Sequence, residues 1–495
     1  MSTPSHTSRR LGPVLWVFLL SALVFSAAGR QGKLFHDDAI FLYGGIEMLR
    51  GAPVYEGMFD HKGPLGQMVC ALAVGLGNLA GLDPIHAVRL VFLAIAAATS
   101  AGVFALGSSL FRSRVSGFLA SAFFVTFWGY GAYAYSGNRP KMLMVLFEVG
   151  ALLFATRRAW FLAGLASTLA AYTWQPTGIF YLAVLVLAFL GEERSRRGPA
   201  VLRVFLGGLL PSLAFALYAL ATGSGRAFLD GCFLFNLRYL ENQVSFTDQL
   251  ASMMRTVVYN GMGVVTLFGL IGMGLLYPWR LRVARSEGRS LLADPFAPLL
   301  LTFPFPLLWS LFDFQQYPDF FIFLPFVSIS LAWIARGASE SLASSLELKG
   351  AARTRFLIAP ALFLFAFSAV AYRFGRKIKL PEQRAQAAEF AARYGDATLA
   401  TVGVPEALVL LDRENVTRYG FIMRGIRFYI DANEPGGFAG WLDSIDAAKP
   451  DVLLLDDSYP DRLGAFAPTW ERWLARYEKA PDIGSWNVYL RPGLE

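Results

Sequence analysis

Residues 34 to 66, LFHDDAIFLYGGIEMLRGAPVYEGMFDHKGPLG, gather five carboxylates, two histidines, an arginine and a lysine. Carboxylates and imidazoles are side chains that transfer protons or bind metal ions. Two neighbouring pairs, His36 with Asp37 and Asp60 with His61, have the side-chain types of a divalent-cation site, but they give no fixed ligand spacing. The pattern therefore allows a divalent cation as a cofactor without defining one.

Motifs of several other reaction classes are absent from the sequence. It contains no G-x-x-x-x-G-K-S/T phosphate loop, no H-E-x-x-H zinc motif and no G-x-S-x-G nucleophile elbow. These absences disfavour a nucleotide hydrolase, a zinc protease and a serine hydrolase. The charged stretch has to be interpreted from its surroundings.

The composition around this stretch is that of a membrane protein. Hydrophobic residues make up 55% of the chain and charged residues only 16%, and the mean hydropathy is +0.46. The formal charge of +8 comes from short basic clusters between apolar runs. Such clusters follow membrane topology and do not form a basic face for nucleic acid. We therefore expect a lipid bilayer, and no nucleic acid, among the partners.

Eleven apolar runs are long enough to predict membrane-spanning helices. They cover residues 11–29, 84–111, 115–133, 141–156, 159–175, 177–190, 200–221, 258–279, 295–312, 318–335 and 356–373. Arginine clusters occupy every second loop, so the face that carries them is predicted to be cytoplasmic, with the N-terminus inside. Residues 1–377 are thus expected to form one transmembrane domain.

The apolar segment GPLGQMVCALAVGLGNLAG, residues 63–81, is about long enough to span but is predicted not to cross. A crossing there would turn the later arginine clusters outward, against the positive-inside rule. Its glycines and Pro64 suit a juxtamembrane or re-entrant segment that protein shields from lipid.

The composition changes from about residue 378. The runs ATLATVGVP, KPDVLLLDDSYP and SWNVYLRP are of β type, and amphipathic stretches separate them. Residues 378–495 are therefore predicted to form a small α/β domain. With eleven spans and an inside N-terminus, that domain lies outside the cytoplasm. The predicted fold class is a polytopic α-helical membrane protein with a small extracytoplasmic α/β domain.

This topology makes residues 34 to 66 the first external loop, held at the level of the lipid headgroups. The apolar residues that follow Asp38 predict a short juxtamembrane helix lying along the interface. Asp37 and Asp38 then stand at its start. There they either cap free backbone N–H groups or project toward a cavity.

Together these features resemble the GT-C glycosyltransferases, most closely the protein-mannosyltransferase and aminoarabinose-transferase branch, which includes the dolichyl-phosphate-mannose mannosyltransferases. RGAPVYEGMFDHKGPL is similar to the family pattern G-x-P-Y-x-x-x-x-D-H-K-P-P, and an acidic pair follows the first span. Weaker similarities lie in AAYTWQPTGIFYLAVLVLAF and DFQQYPDFFIFLPFVSISLAW. The likeness extends to the architecture of many spans followed by an external domain.

The resemblance implies an enzyme that moves a sugar from a polyprenyl-phosphate donor to an acceptor hydroxyl on the outer side of the membrane. Asp37 matches the family's loop aspartate and is expected to be the general base. Asp38 is expected to orient the acceptor or to share that catalytic role. Lys62, at the lysine of D-H-K-P-P, is expected to bind the lipid phosphate with His61 beside it. A lysine at the interface can also extend toward lipid headgroups.

The second short external loop, SGNRPK, supplies Arg139 and Lys141 as further candidates for binding phosphate. Arg139 can also bind a lipid headgroup, and because relatives often place an acid near here, the metal requirement stays open. Asp319 stands roughly where the family often has a histidine. That departure leaves Tyr317 and Gln316 as the residues expected to line the lipid channel.

Two alternatives of other classes remain: a transporter or flippase of polyprenyl-linked sugars, and a non-catalytic protein that binds lipid-linked sugars. A transporter is expected to show paired repeats with helices broken at the bilayer midplane, and the sequence has no such duplication. No motif identifies the sugar, and the acceptor can be a lipid, a glycan or a protein. The short basic clusters favour a bacterial inner membrane as the location.

Overall fold

The computed structural model describes residues 8–239, 245–260, 263–314, 317–423, 425–456 and 459–493. The chain forms two compact units, each assembled from three separate stretches. The first unit comprises Met1–Arg30, Arg89–Leu217 and Val244–Arg376, and the second comprises Gln31–Val88, Tyr218–Gln243 and Lys377–Glu495. The sequence predicted a single division after residue 377. In the structure the first loop belongs with the C-terminal residues.

Helices dominate both units, and four short strands occur near the C-terminus. In chain order the α-helices and strands are α1 (Ser8–Ser26), α2 (His36–Leu49), α3 (Leu65–Leu79), α4 (Pro84–Phe111), α5 (Arg114–Val125), α6 (Trp128–Ala134), α7 (Pro140–Thr156), α8 (Trp160–Ala171), α9 (Gly178–Leu190), α10 (Arg197–Ala221), α11 (Gly225–Leu229), α12 (Phe235–Arg238), α13 (Phe246–Arg255), α14 (Val264–Ser286), α15 (Ala297–Thr302), α16 (Pro304–Phe312), α17 (Leu324–Ser345), α18 (Gly350–Phe374), α19 (Leu380–Tyr394), β1 (Leu399–Val402), α20 (Pro405–Leu411), α21 (Ile426–Asn433), α22 (Gly437–Ala447), β2 (Val452–Leu455), α23 (Pro460–Leu463), α24 (Ala467–Leu474), β3 (Glu478–Lys479) and β4 (Asn487–Leu490). Short 3₁₀ segments lie at Gln175–Thr177, Leu291–Ala293, Tyr317–Phe323 and Gly464–Phe466, and π-helical segments at Asp230–Leu234 and Thr256–Asn260.

Each of the eleven runs predicted to span the membrane contains helix. Among the described residues, five helical stretches are long and apolar enough to cross a bilayer: α4, α10, α14, Tyr317–Ser345 and α18. The bent pair α5 and α6 makes a sixth if it is one crossing. The other runs form shorter helices, so the count of eleven crossings stays a prediction.

A sharp break separates α5 from α6, whose axes differ by 79°. The hydroxyl group of Tyr372, on α18, donates to the carbonyl oxygen of Val125 at 2.5 Å and lies 3.2 Å from that of Phe127. Gly131 is required beside this hydroxyl, because a Cβ there would fall 1.9 Å from the tyrosine oxygen. Irregular backbone in an apolar setting is tolerated where protein satisfies its polar groups, and Tyr372 does so here.

A chain of hydroxyl groups joins α1, α4 and α5. The hydroxyl oxygens of Ser21 and Ser100 are 2.8 Å apart, and those of Ser100 and Ser121 are 2.7 Å apart. Nearby, Val17 and Phe104 belong to one buried apolar cluster that continues the contact between α1 and α4. Small hydroxyl residues allow close approach of apolar helices and supply hydrogen bonds between them.

The strands of the second unit form one sheet in the order β1-β2-β4-β3. β1 pairs with β2 in parallel, and β4 pairs antiparallel with both β2 and β3. Every residue of β1 and β2 is buried, which suits their apolar sequences. The three β-type runs after residue 378 each supply a strand. The small C-terminal α/β fold predicted from the sequence is therefore confirmed.

Helix α2 is enclosed by protein. Its residues are buried from Asp38 through Glu47, so the apolar residues that follow Asp38 pack against protein. The placement of this helix along the membrane interface stays a prediction. Gly44 and Gly45 explain the enclosure. A Cβ at Gly45 would lie 2.6 Å from the backbone nitrogen of Ala71 on α3, and the two helices can pack this closely because glycine has no side chain.

Helix α3 is formed by the apolar segment at residues 63–81, which was predicted not to cross the membrane. Its 15 residues correspond to a length of about 22 Å, which is shorter than the roughly 30 Å hydrocarbon core. Gln67 and Cys70 are buried, whereas Leu72, Leu76 and Leu79 are exposed. The length and the one-sided burial agree with a juxtamembrane placement, which stays a prediction.

We predict that Tyr372→Phe lowers the stability of the first unit by about 1 to 3 kcal/mol, because the carbonyl group of Val125 at the helix break loses its side-chain donor. The measurement is the apparent unfolding temperature of the detergent-purified protein. Tyr277→Phe is the matched control, since the Tyr277 side chain is 47% exposed. Equal unfolding temperatures for the two variants would contradict the capping role of Tyr372.

Candidate functional site

The acidic pair lies in the first turn of α2. Phe35 occupies the N-cap position in an extended conformation and makes no side-chain capping bond. Neither aspartate is therefore the N-cap residue, and the capping alternative raised by the sequence is not realised at that position. Carboxylates in the first turn of a helix interact favourably with the partial positive charge of its N-terminus. The helix thus offers a suitable setting for negative charge.

The two aspartates differ in accessibility. Asp37 is partly exposed, whereas Asp38 is 0% exposed. Successive residues on an α-helix point about 100° apart, so the two side chains leave α2 in different directions. Of the pair, Asp37 is the carboxylate that a bound acceptor can reach without rearrangement of the unit.

The loop between α2 and α3 carries the sequence DHKG, and side chains outside that run bind its carbonyl groups. The Tyr55 hydroxyl donates to the carbonyl oxygen of Lys62 at 2.7 Å. Asn236, on α12, donates to the carbonyl oxygen of His61 at 2.7 Å. Buried backbone groups need such partners. These bonds fix the backbone conformation at His61 and Lys62, and with it the direction in which their side chains project.

The residues just before this run are held by the C-terminal part of the chain. The backbone N–H of Phe59 donates to the carbonyl oxygen of Arg418 at 2.9 Å. The Phe59 ring stacks on Tyr429 with a centroid distance of 4.7 Å. On the other side, Gln67 donates to the carbonyl oxygen of Met58 at 3.1 Å. The α/β region and α3 therefore position the loop jointly.

Asp60 is the buried acid of this loop, with 2% of its surface exposed. One carboxylate oxygen accepts the backbone N–H of His61 at 2.8 Å and lies 3.4 Å from the Nδ1 atom of the same histidine. Burial raises the pKa of the Asp60 carboxyl above its ordinary value. The positive charge of Lys62 opposes this rise and the negative charge of Asp37 adds to it. Asp37, Asp60 and Lys62 therefore interact electrostatically in one site.

Lys62 presents an available cation. In the described ranges, no carboxylate oxygen lies within 4.0 Å of its ammonium group. The Nζ atom lies 5.0 Å from the centroid of the Phe41 ring, a weak cation–π contact that orients the group. A half-buried ammonium that makes no direct ion pair with a described carboxylate is suited to bind an anion such as phosphate.

The first unit contains a separate cluster that includes two of the predicted residues, Arg139 and Tyr317. The Arg139 guanidinium donates to the hydroxyl of Tyr133 at 3.1 Å and lies 4.9 Å from the centroid of that ring. Tyr133 stacks on Tyr317 with a centroid distance of 5.7 Å. Tyr133 is thus the residue that joins the two, and sequence reasoning did not single it out.

Lys141 forms an ion pair with Asp319 in the same unit. The two side chains are only 13% and 6% exposed, and the Lys141 ammonium lies 4.4 Å from the centroid of the Trp174 ring. This pair accounts for the acid at the position where the family resemblance expects a histidine. Because its charge is already matched, Lys141 is less available to a phosphate than Lys62.

The predicted site residues fall into two groups. The second unit contains Asp37, Asp38, His61 and Lys62, and the first unit contains Arg139, Lys141 and Tyr317. Gln316 lies outside the described residues. Within the part of the chain that the structure describes, no three His, Cys, Asp or Glu side chains are arranged to hold a metal ion.

Asp60 is the residue whose importance the sequence analysis underestimated. The acid immediately before His61 was considered only as half of an acid–histidine pair for a cation. Its burial and its electrostatic interactions with Asp37 and Lys62 could not be seen from the motif. The available signal was its place in the same D-H-K run as Lys62.

Solved structures resemble the chain over its full length. ArnT from Cupriavidus metallidurans bound to undecaprenyl phosphate has a TM-score of 0.61 at 13% identity, covering 99% of this chain and 99% of its own. The same organism's ArnT in the apo state has a TM-score of 0.59 at 14% identity and 98% coverage of both chains. An Archaeoglobus fulgidus oligosaccharyltransferase tethered with an acceptor peptide has a TM-score of 0.52 at 12% identity, covering 96% of this chain and 74% of its own. No protein-family model and no curated protein sequence matches the chain.

The chain therefore has the GT-C fold, the fold of a class of membrane glycosyltransferases. The predicted fold class, a polytopic helical protein with a small C-terminal α/β region, is confirmed. At identities of 12% to 14% the likeness establishes the fold. The reaction has to follow from the residues of this chain.

We predict that Asp60→Asn stabilises the protein increasingly as the pH rises. Because the folded-state pKa of Asp60 is raised, ionisation of this carboxyl costs folding free energy. The cost is absent below the ordinary carboxyl pKa of about 4, and it grows until the pH passes the raised folded-state pKa. Asparagine avoids this cost and keeps an oxygen that can accept the His61 N–H.

The measurement is the difference in apparent unfolding temperature between Asp60→Asn and the wild type at several pH values. Asp396→Asn is the control, because the Asp396 side chain is fully exposed. If the difference in unfolding temperature between Asp60→Asn and the wild type does not change with pH, burial does not raise the pKa of Asp60.

Proposed function

We propose that this protein is an integral-membrane glycosyltransferase that transfers a sugar from a polyprenyl-phosphate donor to a hydroxyl group of an envelope lipid, glycan or protein. The observation that carries the proposal is the site in the second unit. There the partly exposed carboxylate of Asp37 and the available ammonium of Lys62 act on the same buried Asp60. The fold supports the donor class, since ArnT of the same fold was crystallised with undecaprenyl phosphate.

The proposed reaction uses these residues as follows. The acceptor hydroxyl oxygen attacks the anomeric carbon of the donor sugar, and the bond from that carbon to the phosphate oxygen breaks. Asp37 accepts the hydroxyl proton as the new bond forms. Lys62 offsets the negative charge of the departing polyprenyl phosphate. Asp38, which is enclosed by protein, acts as the positioning acid at the start of α2.

The first unit contains further residues that can bind a phosphate group. Arg139 and Lys141 are the candidates for phosphate in this unit, and Lys141 is paired with Asp319. The stacked rings of Tyr133 and Tyr317 give an aromatic surface against which an isoprenoid chain can pack.

We place the reaction at the outer face of a bacterial inner membrane, in a multi-pass chain with a cytoplasmic N-terminus. The arginine clusters in every second loop support this orientation. The charged loop and the α/β region would then face the compartment in which envelope components are assembled.

The donor and acceptor can be identified from cells. Mass spectrometry of envelope lipids and glycans, with and without the protein, is expected to show the loss of one sugar residue from one component. An unchanged envelope, with the protein verified in the membrane of the control cells, would contradict the proposal. Restoration of the missing sugar then provides the activity readout for variants.

We predict that Asp37→Asn lowers the rate of transfer by about 10² to 10⁴, because the amide cannot accept the hydroxyl proton. The variant keeps the size of the side chain, so protein yield and membrane insertion should stay normal. The measurement is the rate at which the missing sugar returns after the variant is induced in deletion cells.

Asp38→Asn is the matched control in the same helical turn. It is expected to cause a smaller loss of transfer together with a lower unfolding temperature. Normal transfer by Asp37→Asn with an inactive Asp38→Asn would assign the base to Asp38. Normal transfer by both variants would refute the proposed site.

We predict that Lys62→Ala lowers donor use by about 10- to 100-fold, as expected for the loss of a charge-assisted contact with phosphate, and that Lys62→Arg retains part of it. Lys141→Ala is the comparison. It removes the ammonium partner of Asp319 and should mainly lower the unfolding temperature, by the equivalent of about 3 to 5 kcal/mol. Equal transfer by Lys62→Ala and the wild type would remove Lys62 from the site.

A further inference from the structure

A basic cavity lies at the end of the first unit where α4 turns into α5. Its volume is about 270 Å³. Its lining residues come from α1, from the last turns of α4, from the turn into α5 and its first residue, and from the residue after α7. Its polar lining consists of Ser108, Ser109, Arg112, Ser113, Arg114 and Arg157. Three of them are arginines and three are serines, and none of these described lining residues is acidic.

The arginines of the cavity differ in how they are held. Arg157 donates to the hydroxyl oxygen of Ser109 at 3.1 Å, which directs its guanidinium toward α4. Arg112 and Arg114 have no carboxylate within 4.0 Å in the ranges that the structure describes. Ser113 between them caps α5 by accepting the N–H of Ser116 at 3.3 Å. Its hydroxyl proton remains a donor for a ligand.

This cavity is separate from the proposed phosphate contacts of the first unit. Arg139 precedes α7 and Lys141 lies in its first turn, whereas Arg157 directly follows its last residue. The 17 residues of α7 correspond to about 25 Å. The arginine cavity therefore lies one helix length away from Arg139 and Lys141.

The floor of the cavity and its border are apolar. Phe104 is 5% exposed and packs in the cluster that joins α1 to α4. On its exposed face, α1 presents Trp16, Leu19 and Leu23, which are 73%, 48% and 69% exposed. These three residues recur at helical spacing and form an apolar stripe. An anion that carries a hydrocarbon chain can place its charge among the arginines and apolar atoms against Pro13, Val14 and Phe104.

We propose that this cavity binds the phosphate group of an anionic membrane phospholipid. Arginine pairs well with phosphate because its planar guanidinium donates two hydrogen bonds in a fixed geometry. The arginine clusters in every second loop predict that the loops carrying these arginines are cytoplasmic. Anionic lipids of that leaflet are attracted to basic residues next to the membrane. The bound lipid would join α1 to the α4–α5 turn and to the end of α7.

The test uses the full-length protein in detergent, with dioleoyl phosphatidylglycerol as the probe. Binding is followed by native mass spectrometry and by the rise in unfolding temperature. Dioleoyl phosphatidylcholine and inorganic phosphate are the comparison ligands. The anionic lipid is expected to bind and stabilise the wild type, whereas phosphatidylcholine and millimolar inorganic phosphate are expected to have much smaller effects.

The variant Arg112→Gln/Arg114→Gln is expected to bind the anionic lipid at least about tenfold more weakly, since two charge-assisted contacts are lost. The variant Arg112→Lys/Arg114→Lys should keep part of the affinity. Arg353→Gln/Arg355→Gln is the matched control, because these arginines are also two residues apart and exposed near the start of a helix, α18.

Two outcomes would overturn the proposal. Equal loss of lipid binding in both glutamine variants would show a general effect of surface charge. Equal stabilisation by inorganic phosphate and by the anionic lipid would show an anion site without a lipid. Normal unfolding temperatures of the lipid-free variants serve to exclude misfolding as the cause of weaker binding.

Discussion

The proposed active site depends on hydrogen bonds from two side chains, one within the loop between α2 and α3 and one on α12, to the backbone of that loop. Tyr55 and Asn236 bind the carbonyl groups of Lys62 and His61. A buried carbonyl group left without a donor costs about 1 to 3 kcal/mol, so these partners determine the path of the loop. That path buries Asp60 and leaves Lys62 at the edge. Because Asp60 is buried, its carboxyl has a raised pKa. Because Lys62 is only half-buried, its ammonium group can bind an anion.

Local patterns in the sequence were sufficient to predict most of the helices and strands. An apolar run that meets lipid must satisfy its backbone internally, and each of the eleven predicted runs contains helix. The place of Asp37 at the start of α2 was also predictable, because the apolar residues that follow Asp38 indicate a helix. The burial of α2 was not predicted. It depends on Gly44 and Gly45, whose effect appears only when α3 packs against them.

Contacts between residues far apart in the chain could not be predicted. Lys141 and Asp319 are 178 residues apart, and the motif SGNRPK gives no sign that its lysine has a buried acidic partner. The same limit applies to the division into units. Leu34 and Gln383 exchange hydrogen bonds across 349 residues, and such pairings place the first loop with the C-terminal region.

These long-range pairings have a consequence for biosynthesis. Tyr43, on the helix that carries the acidic pair, accepts the backbone N–H of Asn415, which is 372 residues away. Phe59 likewise needs the carbonyl group of Arg418. At ordinary rates of translation these partners emerge tens of seconds after the loop itself. The nascent chain therefore carries an incomplete site until its last region is made, and premature termination products would remain inactive even when their membrane helices have inserted.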